Sequence, residues 1–188
     1  MEDFEIITIY PNCLWAIKRP KRKEDEYVLT FRAWHDIESL TDLFRLNKDY
    51  IGHDIWTKAG LNADNPELSV QKVIDEANEL EVFLKKLCRN SVKGTHPNLD
   101  DHFKPLGRDR YSYQQELEPQ KSYGTQRPSL LRLYAIKLGS NQYLIVVGAI
   151  KLGASIQTSP GLHPFVFNRI DEALTYLKQN GICESEDI

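Results

Sequence analysis

The chain has 188 residues, 41% of them hydrophobic, and a formal net charge of −3. That length suits one domain, or one domain with a large extension, and the apolar content suffices for a buried core. No run of about 18 apolar residues exists, which excludes a membrane-spanning helix. The acidic start lacks the basic-then-apolar order of a signal peptide, and three widely spaced cysteines fit neither a disulfide framework nor a zinc site, so the expected home is a reducing cytoplasm.

In chain order, Phe4 to Tyr10 alternates and is rich in Ile and Thr, which predicts a strand that Leu14 to Ile17 continues after Pro11-Asn12. Tyr27 to Trp34 predicts a second strand paired back on the first, with the charged stretch Lys18 to Glu26 as a solvated tip between them. The cluster Lys18 to Lys23 has the charge to touch phosphate, but Glu24, Asp25 and Glu26 follow at once and cancel its field. Asp36 or Ser39 caps a predicted helix to about Asn47, with Ile37, Leu40, Leu43, Phe44 and Leu46 as its apolar stripe. Tyr50 to Asn65 reads as irregular. His35, Asp36, His53 and Asp54 have no ligand-set spacing, and no metal or cofactor is expected.

Asn65 as cap and Pro66 at the first position open the clearest helix, running to about Asn90. Its stripe of Val70, Val73, Ala77, Leu80, Leu84 and Leu87 suits core packing, or a seat for a partner helix. Ser91 to Asn98 is a connector, and Tyr113 to Pro128 is polar and Gln-rich without a predicted element. Leu130 to Leu138 and Tyr143 to Ile150 form a predicted β-hairpin around Gly139-Ser140-Asn141-Gln142. Its second strand is apolar on both faces, with Tyr143, Ile145, Val147 and Ala149 on one side and Leu144, Val146, Gly148 and Ile150 on the other. Such a strand belongs mid-sheet with both faces covered. After a loop with Pro160, Gly161 and Pro164, Phe165 to Asn180 predicts a closing helix that Gly181 stops. The acidic tail follows.

Charge is segregated along this plan. His102 to Gln157 holds eight cations and three anions, a net of +5 that leaves −8 on the remainder. A basic segment in an acidic protein fits a polyanion or an acidic partner, or neutralisation by the chain's own acidic half. Tyr111, Tyr113, Tyr123 and Tyr134 interleave with those cations, and aromatics among Arg and Lys stack bases while the cations hold phosphate. Neither a phosphate-loop nor a dinucleotide fingerprint occurs, and no G-x-S-x-G elbow or H-E-x-x-H is present. Fixed cations and tyrosines suffice for metal-independent RNA cleavage, because RNA supplies the 2′-OH nucleophile and the protein needs a base, an acid and charge stabilisation. A lysine or tyrosine serves as base if neighbouring cations lower its pKa.

The motif series Phe103-Lys-Pro-Leu-Gly, Leu131-Arg-Leu-Tyr-Ala-Ile-Lys, a hydrophobic strand, and Gly148-Ala-Ile-Lys-Leu before a proline-containing loop and closing helix resembles the RelE/HigB-like toxin superfamily. Its phage-derived host-toxin branch is the most similar, over roughly residues 99–181. The resemblance implies an α+β fold, a small antiparallel sheet packed by helices on one side. An N-terminal extension (1–95) of a β-hairpin and two helices would precede a RelE-like core (96–182) and an acidic tail (183–188).

It implies an endoribonuclease toxin of a bacterial toxin–antitoxin, mobile-element or phage-defence system, with RNA or the ribosome as target and an antitoxin as silencing partner. The alternative is a non-catalytic interaction or regulatory module on the same fold. Carried across, Arg132 falls on the family's strand arginine and Lys151 on the first cation after the last core strand. Lys104 and Arg108 lie in the Lys-Pro-Leu-Gly segment. Arg132, Lys151 and Lys104 are thus the implied catalytic residues, and Arg108, Arg110, Tyr111, Arg127, Tyr134 and Lys137 the implied RNA contacts. Leu152 stands where the family has a second cation, and its closing Tyr or His has no counterpart here. Without RNA, Arg132 would pair with Glu76 or Glu79, Lys137 would be a strand-end cation in water, and Lys151 would guard a sheet edge.

Overall fold

A computed structural model of the chain describes residues 4–106 and 117–188. Its first elements, β1 (Glu5–Tyr10) and β2 (Leu14–Lys18), are an antiparallel hairpin whose turn is closed by Asn12 at φ 66°. A left-handed turn residue is a position that Asn tolerates. Tyr27 to Trp34 does not return as a strand; α1 (Glu26–Ala33) stands there instead. Asp25 accepts from the Tyr27 and Val28 amides at 2.9 and 3.1 Å, and the buried Glu26, Thr30 and Phe31 follow helical spacing.

Arg19, in the stretch expected to be a solvated tip, is 4% exposed. Its guanidinium donates to Glu26 at 2.7 Å, to Glu172 at 2.5 Å and to the Arg169 carbonyl at 3.2 Å. The chain thus doubles back under α1 and fixes this cation against the closing helix.

Helix α2 (Ile37–Leu46) is capped by Asp36, and the region expected to be irregular carries two short helices, α3 (Lys48–Ile51) and α4 (Asp54–Lys58). Helix α5 (Pro66–Lys93) has the Asn65 cap and Pro66 start that its sequence predicts. At 1.5 Å per residue it is about 42 Å long, and the expected stripe from Val70 to Leu87 is buried against the sheet and its neighbours. The short α6 (Leu99–His102) leads into β3 (Lys104–Pro105), then β4 (Glu118–Tyr123), β5 (Leu131–Gly139), β6 (Gln142–Ile150) and α7 (Leu162–Gln179). No helix among the described residues is long and apolar enough to cross a membrane.

These strands form one six-stranded sheet in the order β1-β2-β6-β5-β4-β3, so the architecture is mixed α and β. The sheet is larger than the small antiparallel one expected, and β2 runs parallel to β6. Helices also cover both faces rather than one: α1, α2 and α5 bury a first core, and α7 buries a second. The N-terminal hairpin completes the sheet on the far side of β6, which makes β6 the doubly covered central strand that its apolar sequence predicts.

The strict two-face division of β6 does not hold. Tyr134 pairs with Val147 but Ala135 with Ile145, so Val146 is the extra residue of a β-bulge. Val146 and Val147 consequently both join the second core, and the Val146 carbonyl accepts from Arg19 at 3.5 Å. Past the bulge, Gly148 faces α1, where a Cβ would overlap Cγ2 of Thr30. Glycine is what lets α1 lie directly on the sheet.

Candidate nucleic-acid interface

The ends of β4, β5 and β6 carry the basic segment. Tyr123 is paired with Arg132, Lys121 with Tyr134, and Arg132 in turn with Ala149. Directly opposed antiparallel residues share a face, and alternate residues along a strand do too. Lys121, Tyr123, Arg132 and Tyr134 therefore stand on one side of the sheet, the side that α7 covers further along. Lys151 follows directly, its amide bonded to the Leu130 carbonyl at 2.8 Å.

Arg132 is 7% exposed. Its Nη1 donates to the carbonyls of Ser129 and Leu131 at 2.8 and 2.7 Å, and its guanidinium lies 4.2 Å over the Tyr123 ring. Arg127 reaches the same ring at 5.5 Å. Burial holds the Arg132 pKa below the usual guanidinium value, opposed by Tyr134, Tyr123 and Glu76. Burial also lowers the Lys151 pKa, and repulsion from Arg132 and then Lys121 adds to the effect. Arg132 and Lys121 thus both act electrostatically on Lys151. Lys151 Nζ donates to the Ala154 carbonyl at 2.6 Å.

The loop between β4 and β5 is anchored from the opposite side by α5. Glu76 Oε1 accepts from the Gln126 amide at 3.2 Å, and Thr125 donates to Glu79 at 2.7 Å. Ser129 Oγ accepts from the Gly124 and Leu131 amides, both at 3.0 Å. Gly124 has no room for a Cβ, which would overlap the Glu76 carboxylate. Burial pushes the Glu76 pKa up despite these donors. The expected pairing of Arg132 with α5 is thus indirect: Glu76 holds the loop whose carbonyls hold Arg132.

The other sequence-derived candidates divide. Arg127 is exposed, donating to the Gly124 and Gln126 carbonyls at 2.7 and 2.8 Å. Lys104 lies opposite Lys121 across β3 and β4, and its Nζ donates to the Asp100 carbonyl at 3.2 Å. Lys104 and Arg127 both act on His102, whose pKa falls to about 4 through burial first and these cations second. Tyr134 is 2% exposed and burial pushes its pKa up to about 12, so it lies beneath the cluster as a neutral phenol.

Lys137 leaves the group. It is paired with Asp100 at 2.9 Å, and Tyr143 donates to the same carboxylate at 2.5 Å. It is therefore not the strand-end cation in water that was the alternative. Arg108, Arg110 and Tyr111 lie outside the described residues. Tyr123 was expected only as one of the tyrosines interleaved with the cations, and Lys121 only as part of the basic segment, because β4 was not recognised.

His35 and Asp36 are accounted for locally: His35 contacts the Phe31 carbonyl and Asn78, and Asp36 caps α2. Among the described residues, no three His, Cys, Asp or Glu side chains are grouped to hold a metal ion. Comparison with protein-family models, with curated proteins and with solved structures finds no match to this chain.

Proposed function

We propose that this protein is a RelE-like toxin that cleaves RNA without a metal, working at the Lys121, Arg132 and Lys151 cluster. The observation that carries the reading is the placing of Lys151 beside a buried arginine fixed over Tyr123, where burial first, and repulsion from Arg132 and Lys121 second, lower the lysine pKa. A lysine so placed is a better base than one in water, and the cations that lower its pKa are also attractive to phosphate.

In the proposed reaction, neutral Lys151 takes the proton from a ribose 2′-OH. The 2′-oxygen bonds to the adjacent phosphorus, and Arg132 and Lys121 stabilise the charge of the pentacovalent phosphate. The bond from phosphorus to the 5′-oxygen breaks, and that oxygen takes a proton from the Lys121 ammonium. A 2′,3′-cyclic phosphate and a 5′-hydroxyl result. In this reading Lys104 and Arg127 hold flanking phosphates, and the family resemblance implies the same role for Arg108 and Arg110. In this reading the protein belongs to a toxin–antitoxin or phage-defence system, with the ribosome as a site of action and an antitoxin as partner.

A second reading, a non-catalytic interaction module, is favoured by one fact: Nη1 of Arg132 is engaged by two carbonyls of its own chain. Expression in bacteria separates the two. Growth arrest that Lys151→Ala relieves supports the toxin, whereas harmless expression with no RNA cleavage, with or without ribosomes, leaves only the module.

A further inference from the structure

Beside Lys151 lies an open cleft of about 590 Å3, formed between the α3–α4 region and the segment after β6. That volume is in the range of small-ligand sites, about 300–1,000 Å3. Trp56 lines it, 2% exposed, and its indole Nε1 donates to the Leu152 carbonyl at 2.5 Å, which ties the two walls together. The ammonium of Lys151 is bonded to the carbonyl of Ala154, itself a lining residue, so the cation stands at the lip of the cleft.

The polar lining is of two kinds. Thr158 is spent locally, its hydroxyl accepting from the Ser155 amide at 2.9 Å and donating to the Ser155 carbonyl at 3.2 Å. The side chains of Tyr50, His53 and Asp54 make no hydrogen bond or ion pair among the described residues. An imidazole and a carboxylate without partners among the described residues thus line the cleft, beside the ring of Tyr50, which packs on the first core.

We infer that this cleft receives a guanine base of the RNA strand whose reacting 2′-hydroxyl lies at Lys151, an inference that rests on the RNA-cleaving reading above. A carboxylate in the cleft repels phosphate, which separates the cleft from the cationic cluster beside it. It accepts hydrogen bonds, and guanine alone among the four bases offers two adjacent N–H donors, N1–H and the N2 amino group, on its pairing edge. Single-stranded RNA is read in this manner, with splayed bases stacked on aromatic rings and bonded along their pairing edges. Tyr50 supplies the ring, Asp54 the double acceptor, and His53 a further polar contact. A strand crossing the lip places a base in the cleft as the neighbouring ribose 2′-hydroxyl meets Lys151.

The test is anisotropy of the full chain with labelled hexauridylate and with variants carrying one central guanosine, inosine or adenosine, all 2′-fluoro-substituted so that no 2′-hydroxyl is present to attack, at low salt. Guanosine is expected to bind about tenfold tighter than adenosine, with inosine, which lacks the N2 amino group, in between. Asp54→Asn, on an exposed residue, is expected to bring the guanosine-to-adenosine ratio below about twofold, and circular dichroism checks its fold. Binding of all four oligonucleotides with equal affinity, or a guanosine preference that survives Asp54→Asn, overturns the inference and leaves RNA binding standing. Failure of the wild type to bind any of them overturns the RNA reading and this inference with it.

Discussion

Arg132 lies 4.2 Å over the ring of Tyr123, the residue directly opposite it on the neighbouring strand. This pairing turns a charge buried in a sheet into a supported one: the ring face attracts the guanidinium, and two carbonyls bond its Nη1. It also explains how a strand that is otherwise core carries an arginine at all.

Tyr123→Leu removes the ring face and keeps an apolar side chain. It is expected to lower the unfolding free energy by about 1 kcal/mol, and Tyr123→Phe by less, because phenyl retains the face. Urea denaturation measures both. Equal losses for Phe and Leu would assign the effect to the hydroxyl instead.

Arg19 joins β2, α1, the β6 bulge and α7 through one buried guanidinium. Arg19→Met leaves Glu26, itself 8% exposed, as an uncompensated charge, a loss on the order of 3–5 kcal/mol. Adding Glu26→Gln is expected to recover a large part of it. Thermal and urea unfolding of the single and double variants decide this, and a single variant as stable as wild type would contradict it.

Much of this fold was legible in the sequence, and the exceptions have physical causes. The long helix α5 and the β5–β6 hairpin are strongly periodic segments with clear caps or turns, and both stand where expected. The segment over α1 is rich in Tyr, Val, Thr and Phe, whose β-propensity outweighed the Asp25 cap and the helical spacing of its buried residues. Strand β4 was hidden by Pro119 and by polar residues, as suits a strand near the sheet edge. With β4 unseen, Lys121 and Tyr123 could not be placed opposite Tyr134 and Arg132. The bulge at Val146 has no signature in a strand that is apolar throughout. The pairing of Lys137 with Asp100 was not legible, because Asp100 lies on α6, far away in sequence.

His102 gives the fold a pH dependence with a definite sign. Its Nε2 is buried without a hydrogen-bond partner among the described residues, and its pKa is about 4 when folded against 6.5 ordinarily. The unfolded chain therefore binds the extra proton first as pH falls. Stability from this residue is fully present above pH 6.5 and is lost between 6.5 and 4, by roughly 3 kcal/mol at most. His102→Phe, packed between Phe83 and Phe103 as the imidazole is, is expected to flatten that limb of the stability profile. An unchanged acid limb in the variant would show that other groups produce it.

The central claim, that Lys151 is the base of an RNA-cleaving site, is tested by single-turnover cleavage of single-stranded RNA in the presence of EDTA. Wild type is expected to leave 2′,3′-cyclic phosphate ends at a rate that rises with pH as Lys151 loses its proton. Lys151→Ala is expected to be slower by about 100-fold or more. RNA left intact by the wild type, or cut by Lys151→Ala at the wild-type rate and with the same pH profile, would contradict the account.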